Sequence, residues 1–289
     1  MSCPACFLGA IHTGTPTGTT TTLHNLTTYI TPPPPLPSPS PSTIILLTDA
    51  FGFNLPNSFL LADHYAASTG FRVLVPSWIP GGGVPLSTLS LMETMTKPVA
   101  PFYHIFSQLK RLWAFVRVMV TVLPFAIRIR PAPKAILEFA RAVKAELKEE
   151  GKGGKLGVAG ICVGGMHSTQ LCKESAVEGG EERLVDAQFC AHPAGLKIPG
   201  DVVEAVKEFK VPYSFAIGDW DFLKVERVLE LQAALRREVG TEEEGGYEVR
   251  VYAGVGHGFA VRASKEKKDE DEAAEEAARQ AAEWFKRYL

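Results

Sequence analysis

The stretch "GVAGICVGGMHS", Gly157–Ser168, decides how this chain is read. Its first half is a run of small apolar residues that suits a strand buried on both faces, and its second half suits a helix. Between them Cys162 stands in the pattern Gly160-Ile161-Cys162-Val163-Gly164, with Gly165 next. Two readings of that cysteine are open: a small core residue at a tight turn, or a nucleophile raised on a bend. The second is the G-x-nucleophile-x-G turn, where a strained backbone and crowding neighbours demand small residues on either side. There the N-terminus of the following helix favours thiolate over thiol, and the N–H of Val163 points to where an oxyanion forms.

Outward from this turn, strands alternate with helices. "TIILLTDAFG", Thr43–Gly52, reads as a buried strand ending in a glycine turn, and "NSFLLADHYAASTG", Asn57–Gly70, as a helix stopped by glycine. "FRVLVPSWIPGGG", Phe71–Gly83, is a further strand with a glycine-rich loop. The amphipathic segment Pro131–Gly154 is helical, "LVDAQFCAHPAG" (Leu184–Gly195) and "VPYSFAIGDWD" (Val211–Asp221) are buried strands, and a helix spans about Val225–Val239. The strand "YEVRVYAGVGHGF", Tyr247–Phe259, and a closing helix from Asp269 complete the series. Such alternation predicts an α/β fold: a mostly parallel central sheet flanked by helices, with working groups in loops beyond the carboxyl ends of the strands.

Residues 1–289 are expected to form one domain. A hairpin-like N-terminal piece is joined to the core by the Pro-rich connector 31–42, and residues 85–133 form a helical, lid-like insertion over the site. Within that insertion "LWAFVRVMVTVLPFAIRI", Leu112–Ile129, is interrupted by Arg117, Pro124 and Arg128, too soon to cross a bilayer, so a buried or lid helix pair is expected, with peripheral membrane contact as the alternative. Residues are 46 % hydrophobic and 21 % charged, with net charge −2, so nothing in the charge balance calls for nucleic acid or an anionic membrane. The five cysteines (3, 6, 162, 172 and 190) are odd in number and too scattered for a disulfide framework. The first residues lack the basic-then-apolar order of a signal peptide, and a reducing cytoplasm is expected.

A cysteine nucleophile needs a base, and the base needs a carboxylate. In this architecture they follow in the order nucleophile, acid, histidine. After the turn, "IGDWD" ends a strand with Asp219 and Asp221, and "GVGHGF" ends the last strand with His257 between glycines. Asp221 fits the acid better, three residues past the strand-end glycine, and Asp219 fits a turn cap.

Together with "CPACFLGAIHTGTPTG" (Cys3–Gly18), "LLTDAFGF" (Leu46–Phe53), "GICVGG" and "GHGFAVR" (Gly256–Arg262), these pieces resemble the dienelactone hydrolase family of the α/β-hydrolase fold, particularly its fungal branch. The resemblance implies a Cys162–His257–Asp221 triad, an oxyanion hole from the N–H groups of Ala50 and Val163, and an acyl-thioester intermediate. It places Asp49 where an acid bonds the resting thiol, unless Asp49 is only a turn residue bonding its own backbone. Phe51, Trp78, His192 and Arg262 are further candidates for substrate contact. For His192 the competing role is a loop histidine bonded to backbone; for Arg262 it is a surface arginine. The chain departs from bacterial members at Gly81, where an arginine grips the substrate carboxylate, and at Ser77, where aspartate is usual. With Phe102, Tyr103, Trp113 and Phe115 in the insertion, a larger and less charged ester or lactone is the expected small-molecule substrate. No cofactor or metal is expected: Cys3 and Cys6 form a C-x-x-C pair without a second pair at ligand spacing. His12 reads as ordering a turn, and Cys172 and Cys190 as core. The chain is expected to be a monomer or homodimer without nucleic-acid partners. Two other readings are open: a non-hydrolytic isomerase, dehydratase or cyclase on this scaffold, and a non-catalytic small-molecule-binding protein.

Overall fold

The computed structural model describes residues 10–33, 40–96, 105–130 and 132–289. Cys3, Cys6, Phe102, Tyr103 and residues 34–39 of the Pro-rich tract lie outside them. A sheet of eight strands runs through the molecule in the order β1-β2-β4-β3-β5-β6-β7-β8. The hairpin β1 (Thr19–Leu23) and β2 (Leu26–Thr31) adds antiparallel to β4 (Arg72–Pro76), while β3 (Thr43–Leu47), β5 (Leu156–Ile161), β6 (Ala187–Ala191), β7 (Tyr213–Gly218) and β8 (Tyr247–Tyr252) are parallel.

The central strands β3, β5, β6 and β7 are buried at every residue, which is why they read as continuous apolar runs rather than alternating ones. Helices cover both faces: α1 (Pro56–Thr69), α4 (Ala132–Glu149), α5 (Val163–Leu171), α6 (Gly200–Phe209), α7 (Val225–Val239) and α10 (Lys268–Tyr288), with the short α8 (Glu242–Gly245) and α9 (Phe259–Arg262) between them. α1 opens with proline at its first position and closes on Gly70 at φ 77°, the left-handed stop that glycine accommodates. At the start of the sheet, Asp186 accepts from Lys144 Nζ of α4 at 2.6 Å and from the Leu156 N–H of β5 at 2.8 Å. This buried ion pair joins a helix to two neighbouring strands.

Helices α2 (Ser87–Thr96) and α3 (Ile105–Arg128) fall between β4 and α4, within the expected insertion. They do not form the buried pair that was one of the two expectations. The apolar stretch after Leu112 belongs to one helix carried through Pro124, and only Ala114, Val118 and Phe125 of α3 are buried. Trp113 and Phe115 are exposed on its outer surface, so they do not form an aromatic lining. His12 also differs from its expected role. Its N–H donates to Asn57 Oδ1 at 2.9 Å and its Nε2 meets the Ala263 carbonyl at 2.9 Å, tying the N-terminal segment to α1 and the end of α9.

Candidate active site

β5 and α5 meet at one residue. Cys162 has φ 55° and ψ −119°, a conformation that strains an L residue and turns its side chain up from the sheet. Its N–H donates to the Ala191 carbonyl at 3.2 Å, and its carbonyl accepts from Gly165 at 3.0 Å and Ala194 at 2.9 Å. The flanking glycines are required by space. A Cβ on Gly160 would lie 2.1 Å from Ser168 Oγ, and one on Gly164 would lie 2.2 Å from the Leu47 carbonyl oxygen. Cys162 is half-buried, whereas Cys172 and Cys190 are sealed in the core.

The loop after β8 brings His257 to the cysteine. Its Nε2 lies 3.1 Å from Cys162 Sγ, and its Nδ1 lies 3.1 and 3.2 Å from the two carboxylate oxygens of Asp221. Asp219 is occupied elsewhere, accepting the Gly254 N–H at 2.8 Å as a turn residue. Burial opposes charge on His257, but the Cys162 sulfur and the Asp221 carboxylate together outweigh it, and the imidazole is pushed up to about 9. The ring is held between others, with His192 at 4.8 Å and Phe222 at 4.7 Å between centroids.

His192 is not the backbone-bonded histidine of the alternative reading. It is wholly buried, among the described residues neither ring nitrogen has a hydrogen-bond partner, and burial reinforced by nearby His257 and Arg262 lowers it well below its ordinary range. Trp78 is buried edge-on against His167 of α5 at 5.0 Å, and burial lowers His167 to about 4.

Ala50 lies in the turn after β3, and that turn interlocks with the loop after β4. The Ala50 carbonyl accepts the Val84 N–H at 2.8 Å, and a Cβ on Gly83 would lie 2.2 Å from the Phe51 carbonyl oxygen. Among the described residues no protein acceptor takes the N–H of Ala50 or of Val163. Asp49 does not bond the thiol. Its Oδ1 accepts the Phe51 N–H at 3.0 Å, and its Oδ2 lies 3.5 Å from Arg262 Nε. Burial raises the Asp49 carboxyl above its ordinary range, with Arg262 opposing the rise. Arg262 is 5 % exposed with its guanidinium 5.1 Å over the Phe51 ring, so it is a buried partner of Asp49 and not a surface arginine. Beside His257 a cavity of about 280 Å³ is bounded by Trp220, Gly256, Gly258, Arg262 and Lys267, among others.

The model of the Dienelactone hydrolase family matches residues 26–289. The chain belongs to that family. It is 25 % identical to the hydrolase tropI of Talaromyces stipitatus, over 98 % of this chain and 95 % of that protein. Identity to dienlactone hydrolase 1 of Gibberella moniliformis is also 25 %, over 89 % of this chain and 82 % of the relative. In structure it is similar to the dienelactone hydrolase of Anabaena variabilis, with a TM-score of 0.55, 13 % identity, and coverage of 96 % of this chain and 100 % of that one. The fold is therefore that of the α/β hydrolases, and this dienelactone hydrolase family member is an enzyme of the ester- and lactone-hydrolase class. No single helix among its described residues is long and apolar enough to cross a membrane.

Two features of the site were not anticipated. Phe222, next to the Asp221 carboxylate in sequence, packs on His257. Its place in "GDWDF" was the available signal. The interlock of the two loops around Ala50 had only the glycines at 81–83 to announce it, and glycines alone do not say which backbone approaches them.

Proposed function

We propose that this hydrolase cleaves a largely uncharged carboxylic ester or lactone, with Cys162 as nucleophile, His257 as acid–base and Asp221 as the group that orients it. The observation that carries the reading is the unbroken chain from Cys162 Sγ through both ring nitrogens of His257 to Asp221. His257 takes the thiol proton on Nε2 while Nδ1–H donates to Asp221, and the freed sulfur attacks the carbonyl carbon. The N–H groups of Ala50 and Val163 hold the resulting oxyanion, each contributing roughly 3 kcal/mol to the transition state. The C–O bond then breaks and the leaving alkoxide takes the proton from Nε2, so an alcohol departs, or a tethered hydroxyl opens from a lactone. Water, losing a proton to His257, attacks the thioester carbonyl; the carboxylic acid leaves and the thiolate regains that proton.

Charge around the site supports an uncharged substrate. Arg262 is faced by Asp49, and Lys267 Nζ is bonded to Glu270 at 2.8 Å, so both cations near the cavity already have acids. Trp220 and Phe222 supply exposed aromatic surface at the same edge.

The test is turnover of a panel of aryl esters and lactones by the native enzyme, Cys162→Ala and Cys162→Ser, with intact-mass analysis after rapid quenching. The expected result is an acyl adduct on Cys162 and loss of turnover in Cys162→Ala. Turnover that persists without the sulfur overturns the nucleophile assignment. An isomeric product without free acid assigns the scaffold to non-hydrolytic chemistry, and tight lactone binding without turnover makes it a binding protein.

A further inference from the structure

Sixteen large apolar side chains are exposed among the described residues, and ten of them sit on α3. They include Phe106, Leu109, Trp113, Val116, Val120 and Ile127, exposed by 50 to 78 %. At 100° per residue the ten cover an arc of about 180° around the helix, opposite the narrow inner face of Ala114, Val118 and Phe125. Burial against the core accounts for that inner face alone.

The charges of α3 have one sign. Its 24 residues hold Lys110, Arg111, Arg117 and Arg128 and no aspartate or glutamate. Arg111 is turned inward, bonding the Met95 carbonyl at 2.6 Å. Lys110, Arg117 and Arg128 are exposed and fall on one line along the edge of the apolar arc, and Arg117 lies 5.5 Å over the exposed Trp113 ring. Large apolar side chains with a bordering row of cations are the chemistry of a helix that lies in the plane of a bilayer surface, apolar face in the acyl boundary and cations at the anionic headgroups. We propose that α3 docks this enzyme on an anionic lipid bilayer.

A second copy of the chain suits the face poorly. A two-fold contact on this arc leaves Lys110, Arg117 and Arg128 at its rim, and α3 offers no acid to receive them from the other copy. The helix also leads to the active-site end of the sheet. A Cβ on Gly81 would lie 3.2 Å from Arg128 Nη1, in the loop that clasps Ala50. Docking through α3 therefore brings the turn that carries Ala50 close to the lipid.

The purified full chain is mixed with vesicles of phosphatidylcholine alone and of phosphatidylcholine with about 30 % phosphatidylserine, and sedimentation and tryptophan emission are read. Binding to the mixed vesicles, with a blue shift in emission and release as salt rises from about 0.1 to about 0.5 M, is the expected result. Val116→Glu/Val120→Glu and Lys110→Glu/Arg117→Glu should each weaken binding at least roughly tenfold while melting temperature and turnover of a soluble aryl ester stay unchanged. Equal binding to both vesicle types, no binding, or binding indifferent to both double variants overturns the proposal. So does a dimer in light scattering that Val116→Glu/Val120→Glu dissolves without any vesicle binding, since the arc then belongs to a second copy. Sedimentation needs no turnover, so this outcome is independent of the acyl-transfer reading.

Discussion

His257 holds its proton against its surroundings. A wholly apolar burial would strip the charge, as it does at His167, yet the Cys162 sulfur and the Asp221 carboxylate push the imidazole up to about 9. Because the folded value lies above the ordinary 6.5, the stability contributed by this pairing is complete below about pH 6.5 and is lost as pH rises through about 9. Removing the sulfur removes the largest source of that rise. The melting temperature of the native enzyme should therefore fall relative to Cys162→Ala between pH 6.5 and 9.5, read by calorimetry across that range; a constant difference shows that sulfur and imidazole do not interact. At this scale the sequence was informative where chemistry has a fixed order: a cysteine between glycines, then acids, then a histidine, each at the end of an apolar run. It named Asp49 and Arg262 as separate candidates and did not pair them. Either residue alone has several ordinary roles, and only the folding of two distant loops makes each the other's buried counter-charge.

Elements were legible because their patterns are unambiguous. α7 falls on the expected residues, and the fully buried central strands stand out as short apolar runs bounded by turns. How elements grip one another was not legible, and two contacts test it. Asp186 fastens α4 to the start of β5. Asp186→Ala leaves Lys144 buried without its partner, and urea unfolding should show a loss of about 3 kcal/mol, far above the cost of an exposed pair. Gly83 lets the loop after β4 press on the turn that carries Ala50, at φ 123°. Gly83→Ala pushes that turn aside, so kcat should fall roughly tenfold or more with KM much less affected, as steady-state kinetics on an aryl ester will show. If KM rises instead and kcat holds, the interlock shapes substrate binding and not the proposed oxyanion donors.

Across the whole molecule, hydropathy alone did not say which way α3 faces. A run rich in Leu, Val, Phe and Ile is ordinarily a core segment, and composition cannot report which side of a helix the core occupies. The eight-stranded sheet already has its faces covered by other helices, so α3 keeps only a narrow contact with the core and turns the rest outward. With so little burial to hold it, α3 should open more readily than the sheet. Hydrogen exchange should label its amides well before those of β5, β6 and β7; comparable protection would mean that something covers the outer face in solution.

The backbone at Cys162 carries a last implication. Torsions of 55° and −119° are easy for glycine and hard for every other residue, so the posture of the sulfur is maintained against a local preference of about 1 kcal/mol or more. Ordinarily glycine in place of alanine loosens a protein by enlarging the freedom of its unfolded chain. Here the order should invert, with Cys162→Gly melting above Cys162→Ala in a thermal scan. An inactive enzyme that outlasts its relatives on heating would measure the tension under which the working one is kept.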